Sequence, residues 1–177
     1  MIEIKTGDIP CCIYTSYVED HFNIKQLFLE QIKNLPIFSI SDIDQKIFNT
    51  DYFIRSYFNK VDYKPIQKVV HAYNIALSKF LNYSADDVLL VPNNYFWFQQ
   101  YKTNDYHSWH RHEGSFSNVY FIDLPYKASK TSFRYLGKEF QVEVEEGQIL
   151  TFPSFLEHCS KPNLSDKIKT VISFNSN

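Results

Sequence analysis

The chain changes its hydrophobic period near the middle, and that change restricts its fold more than any single motif does. Over residues 20–35 the apolar side chains Phe22, Ile24, Leu27, Phe28 and Ile32 recur at roughly helical spacing, and Pro36 ends the run. Over residues 65–81 Ile66, Val69, Val70, Tyr73, Ala76, Leu77 and Phe80 follow an i, i+3, i+4 pattern, with Pro65 suited to the first helical turn. Beyond residue 94 the apolar runs become short and rich in strand formers: 94–101, 117–124, 148–152 and 168–174. Phe140, Val142 and Val144 alternate with Gln141, Glu143 and Glu145, a period of two. Residues 9–14 read as a short extended start, and 39–59 as loop with short helix. Helices first and closely spaced strands afterwards predict an α+β chain, its helices packed on a β-sandwich or barrel. No repeat or linker divides it. One domain is expected over 1–177, with 1–90 mainly helical support and 91–177 the strand-rich core.

Composition narrows the class. Sixteen Phe, 13 Tyr and 2 Trp make 18% of the 177 residues, against only 4 Gly. So much apolar surface argues against disorder. Neither GxGxxG nor GxxxxGK[ST] occurs, so a glycine-rich phosphate or dinucleotide loop is not expected. Eighteen basic and 20 acidic residues leave a net charge of -2 without a basic stripe, which gives nucleic acid no electrostatic footprint. No run approaches the length of a membrane span. The start lacks the charged-then-apolar order of a signal peptide. The 3 Cys, two of them adjacent at 11 and 12, form no disulfide framework, so a cytoplasmic setting is expected. No GxSxG elbow supports serine-hydrolase chemistry.

The chemistry-bearing residues are histidines. Four of the 6 lie in the strand-rich half: His107, His110 and His112 in DYHSWHRH, and His158 in FPSFLEHCSKP. On a strand, residues i and i+2 share a face, so His110 and His112 would project together with Arg111 turned away. A third imidazole from a distant strand would close a facial set of ligands and leave coordination positions open; iron, zinc and copper all accept imidazole. Histidines at i, i+2 are also ordinary on strand surfaces. Trp109 and the apolar run that follows argue instead for a buried edge.

The segment YKTNDYHSWHRH, followed by a short polar turn and SNVYFI, resembles the metal-binding strand region of Fe(II)/2-oxoglutarate-dependent oxygenases of the prolyl-hydroxylase-like branch. The stretch EGQILTFPSFLEH is similar to that family's approach to its distal histidine, and NLSDKIKTVISFN to its final strand. The resemblance is closest to short oxygenases of bacteria and phages and covers 95–175, a little under half the chain. It implies a double-stranded β-helix (jelly-roll, cupin-like) domain with N-terminal supporting helices. It also implies a hydroxylase that couples oxidative decarboxylation of 2-oxoglutarate to oxidation of a substrate. Carried over by position, His110 matches the first metal ligand and His158 the distal one. Lys169 matches the basic residue facing the far carboxylate of 2-oxoglutarate, with Lys167 a competitor, and Tyr101 its hydrogen-bonding partner. Two positions depart from the family pattern. The expected second-ligand carboxylate is replaced by His112, leaving either a three-histidine site or a carboxylate such as Glu113 reaching in. The serine usual two residues beyond the basic residue is Val171.

Trp109, Trp97, Tyr95, Arg134 and His107 are candidate pocket residues. The cofactors implied are Fe(II) and, as co-substrate, 2-oxoglutarate. The partners expected are a small-molecule or peptide substrate and a second copy of the chain. Two rival readings share this architecture: a cupin-type three-histidine metalloprotein without 2-oxoglutarate, and a non-enzymatic jelly-roll binding or structural module.

Overall fold

The structure is a computed structural model, and it describes residues 12–53, 61–81 and 96–176, with a backbone strand at 5–6. In chain order the elements are β1 (Lys5–Thr6), β2 (Tyr14–Tyr17), α1 (His21–Lys33), β3 (Ile40–Ser41), β4 (Gln45–Ile47), β5 (Asn49–Thr50), α2 (Lys64–Phe80) and β6 (Phe96–Tyr101). There follow β7 (Tyr106–His110), β8 (Phe116–Asp123), β9 (Thr131–Tyr135), β10 (Lys138–Gln141), β11 (Gln148–Pro153), β12 (Glu157–Ser160) and β13 (Lys169–Ser176). The strands form two antiparallel sheets, ordered β1-β2-β11-β8-β13-β6-β5 and β10-β9-β12-β7-β4-β3. This is the jelly-roll, α+β architecture that the resemblance implies.

The seven-stranded sheet is covered on both faces, and its residues alternate accordingly. On β13, Ile172 and Phe174 face outward toward the helices, while Val171 faces inward with Phe121, Leu150 and Phe152. The helices supply the outer layer because each buries one stripe: Ile24, Phe28 and Ile32 on α1, Ile66, Val70, Tyr73 and Leu77 on α2. Phe28 meets Phe98 edge-on at 6.0 Å, and Tyr63, just before α2, stacks on Phe96 at 5.6 Å. Buried polar atoms in this layer are paired: the Tyr73 hydroxyl lies 2.6 Å from Thr151 Oγ1, which donates to Asn118. At the turn into β11, Gly147 has φ +88°, and a Cβ there would stand 3.0 Å from the His21 ring. Only glycine lets α1 pack so close.

Three sequence expectations change. Residues 39–59, read as loop with short helix, contain β3, β4 and β5 in their described part, so the first half contributes strands to both sheets. These strands are two or three residues long, too short to show a period. The alternation at 140–144 persists in burial, with Phe140, Val142 and Val144 turned inward, but the strand itself stops at Gln141, where pairing with β9 ends. The extended start falls at β2, and residues 9–11 lie outside the described residues. No described helix is long and apolar enough to cross a membrane.

Candidate metal centre

A cavity of about 290 Å³ lies between the two sheets, and His110, His112 and His158 all open onto it. His110 ends β7, and His158 sits directly opposite on β12. His112 lies two residues past the strand end, where its backbone N–H donates to Ser154 O at 3.1 Å. The expected strand alternation therefore ends at His110. Arg111, expected to turn away, borders the cavity mouth instead, and His112 reaches the site through this backbone anchor rather than strand pleating. Just beyond it, Gly114 turns the chain toward β8 with φ +98°. Glu113 is exposed and stands apart from the histidine group.

One ligand nitrogen from each of the three histidines lies within 4.8 Å of the others. Small side-chain rotations would bring all three onto one ion at the usual metal–nitrogen distance of about 2.1 Å. Two of the rings are already oriented. His110 Nδ1–H donates to Ser108 O at 2.7 Å, and His158 Nδ1–H donates to Leu156 O at 2.9 Å. A carbonyl only accepts, so Nδ1 holds the proton and the Nε2 lone pair is free for the cavity. Phe152 meets the His158 ring edge-on at 4.6 Å. Burial, joined by the charge of neighbouring imidazoles, pushes His158 down to about 3 and His112 to about 4. Burial also lowers His110. All three rings are therefore neutral near pH 7, the form a metal requires. The donor set fits one divalent ion and contributes no negative charge to it.

His107 belongs to this cavity as well, stacked on His110 with ring centroids 3.9 Å apart. Residues three apart on a strand normally face opposite sides. Here His158 pairs with His110 but Ser160 with His107, so β7 spends three residues where β12 spends two. That bulge turns both imidazoles inward.

The opposite end of the cavity is cationic. Lys169 begins β13, 2% exposed, and Tyr101 faces it directly across the β6–β13 pair. Its Nζ lies 4.3 Å from the Tyr101 ring centroid, a cation–π contact. The ammonium donates to Ser129 O at 3.0 Å, Ser129 Oγ at 3.1 Å and Ser160 Oγ at 2.6 Å. No carboxylate lines this cavity among the described residues. Burial without a counter-charge pushes Lys169 down to about 7. It also raises the Tyr101 phenol, keeping it protonated. Lys167 is exposed and lies outside this cavity, which separates the two lysines.

Two candidate pocket residues are corrected. Trp109 and Arg134 do not line the cavity; the guanidinium lies 4.2 Å from the indole centroid and pairs with Glu139 at 2.9 Å. Each neighbours an inward residue, His110 and Phe133, and strand pleating sends adjacent side chains to opposite faces. Tyr95 lies outside the described residues. Trp97, a pocket candidate from the sequence, does line the cavity, whereas sequence reasoning missed Ser129, Ser160, Gln99 and Tyr52. Ser160 was readable two residues beyond His158 on the same strand face; Ser129 sits in the turn before β9 with no periodic signal.

No family model and no curated protein matches the sequence. In three dimensions the chain is similar to a Pseudomonas putida prolyl-4-hydroxylase, with a TM-score of 0.61, 12% identity, and coverage of 95% of this chain and 94% of that one. It is similar to EvdO2 from Micromonospora carbonacea var. aurantiaca at a TM-score of 0.63 and 10% identity, covering 99% and 94%. A third likeness is to SnoK from nogalamycin biosynthesis, a non-heme alpha ketoglutarate dependent carbocyclase, at a TM-score of 0.56 and 10% identity, covering 90% and 78%. At such identities the likeness is one of fold. The likeness extends over 90–99% of this chain and is to the double-stranded β-helix fold, with its supporting helices, that these neighbours share.

Proposed function

We propose that this protein is an Fe(II)- and 2-oxoglutarate-dependent oxygenase, with the metal held by His110, His112 and His158. The observation that carries the reading is the two-ended cavity: three neutral imidazoles at one end and the buried Lys169 at the other. A divalent ion bound by neutral ligands keeps its full charge, and the lysine adds a second positive centre. A five-carbon dicarboxylate matches both, one end on the metal and the other on Lys169. Lysine acts there as a point charge rather than a bidentate fork. Ser129 and Ser160 can turn their hydroxyls toward the same carboxylate, in place of the serine that Val171 displaces. Iron in such a site supplies the reduction of oxygen that couples decarboxylation of 2-oxoglutarate to substrate oxidation. The chain's own residues orient the two ends and shield them from water.

The test is succinate release and oxygen uptake by the purified protein with Fe(II) and 2-oxoglutarate. Activity is expected in the parent and is expected to vanish in His110→Ala and His158→Ala. Tight zinc binding with no 2-oxoglutarate turnover would overturn the reading. One observation favours a second reading, a three-histidine metalloprotein that uses no 2-oxoglutarate: the donor set is all imidazole, with Glu113 turned to solvent. Lys169 separates the two, because a site without a co-substrate has no ligand for a buried ammonium.

A further inference from the structure

The cavity end away from Lys169 is built for a different kind of molecule. The inward residues along β6 are Trp97, Gln99 and Tyr101, so Trp97 lies about 13 Å from the Tyr101–Lys169 end at roughly 3.3 Å per residue. Trp97 is 6.1 Å from the His112 ring and meets Tyr52 edge-on at 5.4 Å. Tyr52 in turn meets Phe53 at 4.9 Å, and both of these are exposed. An aromatic wall thus runs from solvent to the third imidazole.

Two amides face the same space. Ser173 Oγ donates to Gln99 Oε1 at 3.4 Å, and Ser117 Oγ donates to Asn175 Oδ1 at 3.2 Å. The other end of each amide has no partner among the described residues, although Gln99 is only 7% exposed. Buried amide groups left in this state gain from any ligand that pairs them. The charged groups lining the cavity are Lys169 and Arg111, and no acidic side chain lines it among the described residues.

We propose that this end is the substrate subsite and takes an uncharged planar ring with a carboxamide- or lactam-type edge. The ring lies against Trp97 and Tyr52, and its edge pairs with the open ends of Gln99 and Asn175. Ring stacking supplies attraction that an aliphatic ring of equal size lacks. A cationic substituent would meet Arg111 and Lys169 without a compensating carboxylate. The word substrate rests on the oxygenase reading; ring selectivity does not.

The experiment uses the full chain carrying Trp109→Phe, which leaves Trp97 as the one tryptophan of 2. Its fluorescence is titrated with benzamide, cyclohexanecarboxamide and benzylammonium, with and without Zn²⁺. Benzamide is expected to bind saturably, with a Kd at least tenfold below the other two. Gln99→Leu is expected to raise that Kd at least fivefold. Tyr52→Ala, at an exposed position, serves the same purpose if Gln99→Leu does not fold. Equal binding of the three probes, preference for either control, no saturation, or unchanged benzamide affinity in the variant would each overturn the proposal. Succinate release is measured separately. Ring selectivity without succinate sinks the oxygenase reading alone, and succinate without ring selectivity sinks the subsite alone.

Discussion

Lys169 is an ammonium whose three donors are all held by serine oxygens and a backbone carbonyl, none of them charged. Burial lowers it to about 7 from its ordinary 10.5, so above pH 7 a growing share of the folded protein holds it neutral. The unfolded chain still binds that proton up to about pH 10.4, so this residue costs stability below pH 7 and costs less as pH rises from there. A bound carboxylate reverses the balance, because opposite charge favours the protonated amine. At pH 8, 2-oxoglutarate binding should therefore take up close to one proton, visible as a buffer-dependent heat in titration calorimetry. Lys169→Met should abolish the uptake and weaken binding by at least tenfold. Buffer-independent heats in the parent would remove Lys169 from the site. The histidines were readable in the sequence because strand spacing and residue type already narrow their chemistry. The identity of the cation was narrowed only to Lys167 or Lys169, since where β13 begins is not encoded in any period.

The two helices and the bulge in β7 teach opposite lessons about legibility. Residues Ile24, Phe28 and Ile32 repeat at i, i+4, i+8, so α1 and its buried face follow from the sequence. A bulge leaves no such trace. His107 reads as a rim residue until the register of β7 against β12 is known. The segment 111–112 misleads in the same way: the period predicts the right neighbour, His112, for a reason that stops applying at the strand end. At the scale of elements the helical layer is structural. Phe28→Ala should cost about 3–5 kcal/mol through lost transfer energy and the cavity left behind. Metal stoichiometry in the folded variant should match the parent, because Phe28 packs on the outer face of the seven-stranded sheet. Loss of metal from a variant that is still folded would contradict that separation of layers.

At the scale of the whole molecule the metal would act as a clip on the six-stranded sheet, joining His110 at the end of β7, His158 on the neighbouring β12 and His112 in the connection to β8. A ligand bound only by the folded state stabilises by about 2.7 kcal/mol at a concentration 100 times its Kd. For a chain of this length that corresponds to a rise in Tm of about 5–11 °C. Adding Zn²⁺ or Fe(II) under argon should produce this rise in the parent and not in His158→Ala, as read by calorimetry. An equal rise in both would place the ion elsewhere.

Among the described residues the helices pack on the seven-stranded sheet only. β8, β11 and β13 lie between the helical layer and the core, whereas β7 is half-buried throughout and β10 is mostly exposed. Amide hydrogens should therefore exchange at very different rates on the two sides, slowest in the central strands of the covered sheet and faster in the sheet that carries the imidazoles. On that expectation the covered sheet would stay closed on timescales over which the other opens. Under the oxygenase reading, ligand would then enter and product leave by local breathing of the histidine-bearing sheet, without disturbing the helical layer.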